Sequence, residues 1–126
     1  MVQKSKRGVK DKAGGKWTTA KYWGHLRGVL RQGFMFYPAK AEAKRRAAVR
    51  EGRYTKYRCA DCEGLFGTKE VHVDHIVPCG TLTDYSHLAG FVERLYCEPE
   101  DLQILCKECH ATKTKVDNKQ TRSKKQ

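Results

Sequence analysis

A carboxylate flanked by imidazoles lies in the run Val71-His72-Val73-Asp74-His75-Ile76-Val77-Pro78. The surrounding residues are β-branched, and their alternation predicts a strand that Pro78, lacking a ladder donor, brings to an end. A period of two sends His72 and Asp74 to one face and Val71, Val73 and His75 to the other. A buried strand excludes a carboxylate beside an imidazole unless something charged sits with them. A divalent cation on Asp74, with His75 left free as a base, supplies that reason. The competing reading is a half-exposed strand with an incidental Asp-His pair.

The six cysteines offer a second chemistry. Cys59-Ala60-Asp61-Cys62, followed by Glu63-Gly64, places two thiolates around a tight turn. Cys106-Lys107-Glu108-Cys109 repeats the spacing far downstream. Two such pairs satisfy tetrahedral Zn²⁺ with four sulfur ligands. Zinc there acts as a structural staple between the two ends of one module. His110 directly follows the last ligand, so the staple also fixes where its imidazole points. Cys79 and Cys97 lack close-spaced partners and read as part-buried thiols.

The elements that must carry these groups follow from periodicity and punctuation. Residues 1–16 read as a disordered basic arm with Gly8, Gly14 and Gly15. Trp23, Leu26, Leu30 and Phe34 recur at helical spacing behind a Thr18 or Thr19 cap, with Arg27 and Arg31 on one face. Pro38 predicts a second helix running to about Glu51, with Gly52 as its C-cap. It carries Lys44, Arg45, Arg46 and Arg50, and its thin apolar side puts it on the surface. Arg53 to Arg58 reads as a short strand. Asp84 caps a helix from Tyr85 to about Tyr96, striped by Leu88, Phe91, Val92 and Leu95; His87 within it reads as a surface or packing residue. Glu98 to Leu102 is a turn with a short helical start, and Ile104 and Leu105 pack behind the second cysteine pair. A last helix begins near 106–109, runs through Thr112, Lys113 and Val116, and dissolves into a basic tail.

The net charge of +12 is unevenly divided. Residues 1–58 carry +14, residues 59–110 carry −7 and residues 111–126 carry +5. An acidic middle between basic flanks points to nucleic acid held by the flanks. The plainer alternative is that the basic tails aid solubility. There is no apolar run of membrane-spanning length and no signal-like segment behind Met1. The expected setting is therefore a reducing cytoplasm, where closely spaced cysteines bind metal rather than form disulfides.

Taken together, VHVDHIVP, the paired cysteines and DLQILCKECHATKTK resemble the HNH endonuclease family. That pattern is Cys-x-x-Cys, Asp-His-Ile-x-Pro, then Asn-Leu-Gln-x-Leu-Cys-x-x-Cys-His-x-x-Lys-Thr. It stands here at Cys59–Cys62, Asp74–Pro78 and Asp101–Thr114, and the resemblance covers residues 54–116. The Trp/Arg-rich lead and the helical insert after Pro78 look like small phage-encoded members, which would make the cytoplasm that of the host cell.

The resemblance implies an α+β fold: a ββα-metal, treble-clef-like core stapled by the four-cysteine zinc site, with N-terminal helices and basic tails. Residues 17–53 become a helical DNA-contacting lead, 54–116 the nuclease domain and 117–126 a basic tail. Asp74 and His110 become ligands of a catalytic divalent ion, Mg²⁺ or similar, and His75 the general base. Asp101 takes the place of the usual Asn, which holds the loop through side-chain hydrogen bonds; an ionised Asp accepts but does not donate them. His72 has no fixed family role; it is a candidate third contact to the ion or a support behind its ligands. Double-stranded DNA is the implied partner, contacted by Arg27, Arg31, Lys44, Arg45, Arg46, Arg50, Lys113 and Lys115. Cleavage would leave a 5′ phosphate and a 3′ hydroxyl, as a nick or a double-strand break. A homodimer or a phage-packaging partner enters by family analogy alone. The rival reading is a non-catalytic zinc-containing module that binds nucleic acid. An HNH-like site acting on RNA and a disulfide-linked secreted protein are the weaker alternatives.

Overall fold

The computed structural model describes residues 8–125, with side chains as far as residue 119. The first seven residues of the expected basic arm lie outside the described residues. The rest of that arm is not loose: Lys12 and Trp17 form a bridge around a tight turn, and Thr19 Oγ1 donates to Asp11 at 2.9 Å.

Helix α1 spans Thr19–Phe34 and is capped by Thr18, whose hydroxyl accepts from the Lys21 amide at 3.1 Å. This satisfies one of the amides that a helix start leaves unpaired. Helix α2, Pro38–Arg46, opens on proline as expected. It stops well short of Glu51. Ala48–Glu51 forms strand β1, paired antiparallel with β2, Tyr54–Arg58. Gly52 has φ +61° and turns this hairpin rather than capping a helix. The hairpin prevails because β2 is rich in residues that suit a pleated ladder, while α2 runs out of residues to bury. Arg50 therefore lies on a strand. The two residues that α2 does bury are Ala39 and Ala43, four apart, and their small side chains let it pack on the sheet below.

A short strand β3, Leu65–Phe66, completes a three-stranded antiparallel sheet. Strand β4, Val71–His75, pairs antiparallel with β5, Leu102–Cys106, in a separate two-stranded sheet. The β4 run ends at His75, earlier than Pro78, because β5 begins opposite it at Leu102. The expected helix from Tyr85 starts as a 3-10 turn, Tyr85–His87, capped by Asp84, and becomes α3 over Leu88–Leu95. Helix α4 runs Lys107–Lys125, beyond the expected fraying point, through a tail rich in strong helix formers.

Helices α1, α2 and α3 and the loop before α3 enclose the main core, built from Trp23, Phe34, Leu82, Phe91, Leu95 and Leu102 among others. Cys79 is buried in this core and Cys97 packs against it. A second, smaller cluster gathers Cys59, Leu105 and Cys106 with Phe66 and Cys109. The architecture is thus α+β: β4, β5 and α4 form a ββα unit, with helices α1 to α3 packed on one side and a four-cysteine cluster at one end. Among the described residues, no helix is long and apolar enough to cross a membrane.

Candidate functional site

The two cysteine pairs meet. The sulfurs of Cys59, Cys62, Cys106 and Cys109 all lie within 4.8 Å of one another, and Cys62 Sγ is 4.0 Å from Cys106 Sγ. Tetrahedral zinc bonded to sulfur at about 2.3 Å sets its ligands roughly 3.8 Å apart, so the four thiols fit such an ion. The fold prepares them through its backbone. Ala60 N donates to Ile104 O at 2.8 Å, binding the first turn to β5. Glu63, at φ +64°, closes that turn, with Glu63 N donating to Cys59 O at 3.0 Å. Burial pushes the Cys59 thiol up, but amides of Cys106, Cys62 and Asp61 pointing at its sulfur outweigh this and hold it down at about 6. Cys109 is driven the other way, chiefly by hydrogen bonding with Cys106. Four crowded thiols in ion-free protein must share protons, and a divalent cation removes that conflict.

At the far end of β4 the strand alternation is as expected. His72 and Asp74 face α4 through His110, while Val73 packs against the helical core and His75 against Phe34. Asp74 Oδ1 lies 3.7 Å from His110 Nε2. Its other oxygen, Oδ2, accepts from Gln103 Nε2 at 3.0 Å and from the Lys113 ammonium at 3.1 Å. Oδ2 is thus taken and Oδ1 is left facing the imidazole. His72 stacks on His110 with ring centres 4.6 Å apart and 24° between planes.

His75 is held from the opposite side. Its Nε2 is 2.8 Å from Leu95 O at the end of α3, and Phe34 of α1 lies 4.8 Å from its ring. A carbonyl only accepts, so Nε2 carries the hydrogen and the neutral ring keeps its lone pair on Nδ1. Asp74 and His75 point to opposite faces, yet both line one cleft of about 490 Å³, because the strand ends there. His110, Arg31 and Lys40 line it too. A second cleft, of about 550 Å³, adjoins across His110 and Lys40 and includes His72, Lys44 and Met35.

Two residues here were not singled out from sequence. Gln103 stands directly across from Asp74 in the ladder register, a relation that needs the pairing. Asp117 receives Lys113 Nζ at 2.7 Å, and Lys113 also donates to His75 O at 2.9 Å. Burial lowers the Lys113 pKa, but its bonds to Asp117 and Asp74 more than reverse this and raise it. Lys113, expected on nucleic acid, is the centre of an ion-pair network in this structure. At Asp101 the main-chain carbonyl accepts from Ile76 N at 3.0 Å, continuing the β4–β5 pairing by one residue.

The remaining basic residues fall into two sets. Arg27 donates to Leu82 O at 2.7 Å and is half-buried, so it braces the fold. Arg45 and Arg46 both grip Glu42, and Arg46 also reaches Glu100 at 2.8 Å. These bonds hold the Glu42 carboxyl down to about 2. Lys44 bonds Thr68 and lies 5.0 Å over the Tyr57 ring. Arg50 and Lys115 are exposed, and Arg31 is exposed with its guanidinium 5.7 Å over Phe91.

Fold and site define an α+β protein with four clustered thiols that could hold a metal ion and a cleft lined by two imidazoles, His75 and His110, and two carboxylates, Asp74 and Asp117. Over 61 residues the chain is 39% identical to a probable HNH endonuclease of Lactococcus phage SK1. The similarity covers 47% of this chain and 55% of that relative, so it spans about half the length of the curated protein it matches. No family model matches the chain, and no solved structure does.

Proposed function

We propose that this chain is an HNH-type, metal-dependent DNA endonuclease. The observation that carries the reading is the convergence of Asp74 Oδ1, His110 Nε2 and His75 on one cleft. Zinc is assigned to the four cysteines as a structural ion. Asp74 and His110 would hold a catalytic divalent ion, Mg²⁺ or similar. Such an ion, when bound, would neutralise charge on the phosphate and stabilise the leaving 3′ oxygen.

The chain's own residues then have separate tasks. Gln103 and Lys113 occupy Asp74 Oδ2 and so orient Oδ1. His72 stacks on His110 and limits its rotation. Leu95 O fixes the His75 tautomer, leaving Nδ1 to accept a proton from the attacking water. The water oxygen bonds to phosphorus as the bond to the 3′ oxygen breaks, and the departing 3′ oxygen takes a proton from solvent, which gives a 5′ phosphate and a 3′ hydroxyl. Positioned base catalysis of this kind contributes about 10²–10⁴-fold. Arg31 and Lys40 line the cleft and supply positive charge beside a bound phosphate.

The test is nicking of supercoiled plasmid by zinc-loaded protein with Mg²⁺, without Mg²⁺, and by His75→Ala. Cleavage only in the first case supports the reading; undiminished cleavage by His75→Ala removes His75 as the base. One observation favours the rival, a zinc module without catalysis: Lys113 already balances the Asp74 charge. Absence of cleavage with any divalent ion, while DNA binding persists, would favour that rival.

A further inference from the structure

The turn joining α1 to α2 carries two apolar side chains that the fold leaves in water. Met35 is 63% exposed and Phe36 85%, the highest value among the exposed large apolar residues described. The turn is not slack. Met35 N, Phe36 N and Tyr37 N donate in succession to Gln32 O, Gly33 O and Phe34 O, at 3.0 to 3.1 Å. Pro38 then starts α2, fixing the exit of the chain. The residues on either side are anchored: Phe34 is buried against His75, and Tyr37 packs edge-on against Tyr96 at 5.1 Å. A rigid support thus presents a phenyl ring to solvent.

Its position relates it to the cleft. Met35 lines the second cleft together with His72, His110, Lys40 and Lys44. Phe34, two residues before Phe36, touches His75. Two residues span at most about 7 Å, and successive nucleotides of a strand rise about 3.4 Å. A duplex whose phosphate lay at Asp74 and His75 would bring a base step within a few nucleotides of Phe36. Arg31 and Lys40 line the first cleft, and Lys40 and Lys44 line the second beside Met35, so both carry positive charge. An apolar tip on the turn beside two clefts that carry cations is complementary to a nucleic acid, which offers a flat apolar base face between anionic phosphates.

We propose that Phe36, flanked by Met35, is a wedge that stacks on a base of bound duplex DNA and opens a base step beside the phosphate at the cleft. This rests on the endonuclease reading for the placement of the duplex, but its test does not use cleavage. Full-length, zinc-loaded protein without Mg²⁺ is titrated into short duplexes, each with a single 2-aminopurine at a different position. The parent should brighten at least one duplex as a base step unstacks. Phe36→Ala should lose that signal and bind about 5- to 150-fold more weakly, the loss expected of one stacked base. Phe36→Trp should retain both. On a duplex with one abasic site, already unstacked, the Phe36→Ala loss should shrink. Phe36 is exposed, so an unchanged melting temperature will certify that each variant is folded. Phe36→Ala that binds and brightens DNA like the parent overturns the proposal, as does a parent that brightens no duplex. If plasmid cleavage is absent yet these signals depend on Phe36, the wedge stands and the endonuclease reading falls. If cleavage needs His75 but Phe36→Ala changes nothing, the wedge alone falls.

Discussion

Replacing Lys113 with Met keeps most of the aliphatic stem and removes one ammonium from between two carboxylates. The ammonium is within 3.1 Å of Asp74 and 2.7 Å of Asp117 and also donates to His75 O. The Lys113 side chain is 21% exposed and that of Asp74 12%, so the pair lies between the surface and buried limits. Exposed pairs contribute about 0.2–1 kcal/mol, and breaking a buried one costs about 3–5 kcal/mol. A loss of about 2–3 kcal/mol is expected, borne mostly by the Asp74 charge left behind. For a chain of this size that lowers the melting temperature by roughly 6–15 °C. The Lys113 pKa is raised in the fold above its ordinary 10.5. Its stabilisation is therefore fully present below about pH 10.5 and is lost only as pH climbs through the folded value. The gap between parent and variant should stay constant from about pH 7 to 9. Added Mg²⁺ should narrow it, because an ion on Asp74 supplies the missing positive charge. Thermal melts of zinc-loaded protein, with and without Mg²⁺, measure both effects. A loss under about 0.5 kcal/mol would show the network to be solvent-screened like a surface pair. A gap that Mg²⁺ leaves untouched would refute the placement of the ion on Asp74.

Three other outcomes follow from the geometry. Cys106→Ala should abolish stoichiometric zinc and the cooperative melt together, since Cys106 supplies both a sulfur and part of the small core; a variant that keeps both would remove the staple. Gln103→Leu leaves Asp74 Oδ2 to Lys113 alone and should weaken divalent-ion activation about 10–100-fold while zinc content is unchanged, read from the Mg²⁺ dependence of nicking. Gly33→Ala would drive a methyl into the Tyr96 hydroxyl, which donates to Leu30 O at 2.6 Å, and should destabilise by about 1–3 kcal/mol in a denaturant titration.

Much of the local structure was written in the chain. The Thr18 cap, the Pro38 helix start and the alternation of β4 depend on neighbours within a few residues, and each appears where the pattern put it. The cysteine spacing likewise encodes the four-sulfur cluster that the fold assembles. Where sequence misled, a longer-range partner decided. Helix α2 yielded at Ala47 because Ala48–Glu51 found β2, and β4 stopped at His75 because β5 begins across from it.

Local sequence set which chemical groups are available, and it placed Asp74 and His75 on opposite faces of one strand. Only the tertiary structure decided that both reach the same cleft. It did so by ending the strand at that point and by bringing Leu95 and Phe34, from two helices, onto the His75 ring. It also half-buried Lys113 and Arg27 and gave them protein partners. Charge along a chain says how many cations there are. Which of them remain free for an outside anion depends on the carboxylates and carbonyls that folding brings within about 3 Å, and those contacts join residues far apart in sequence.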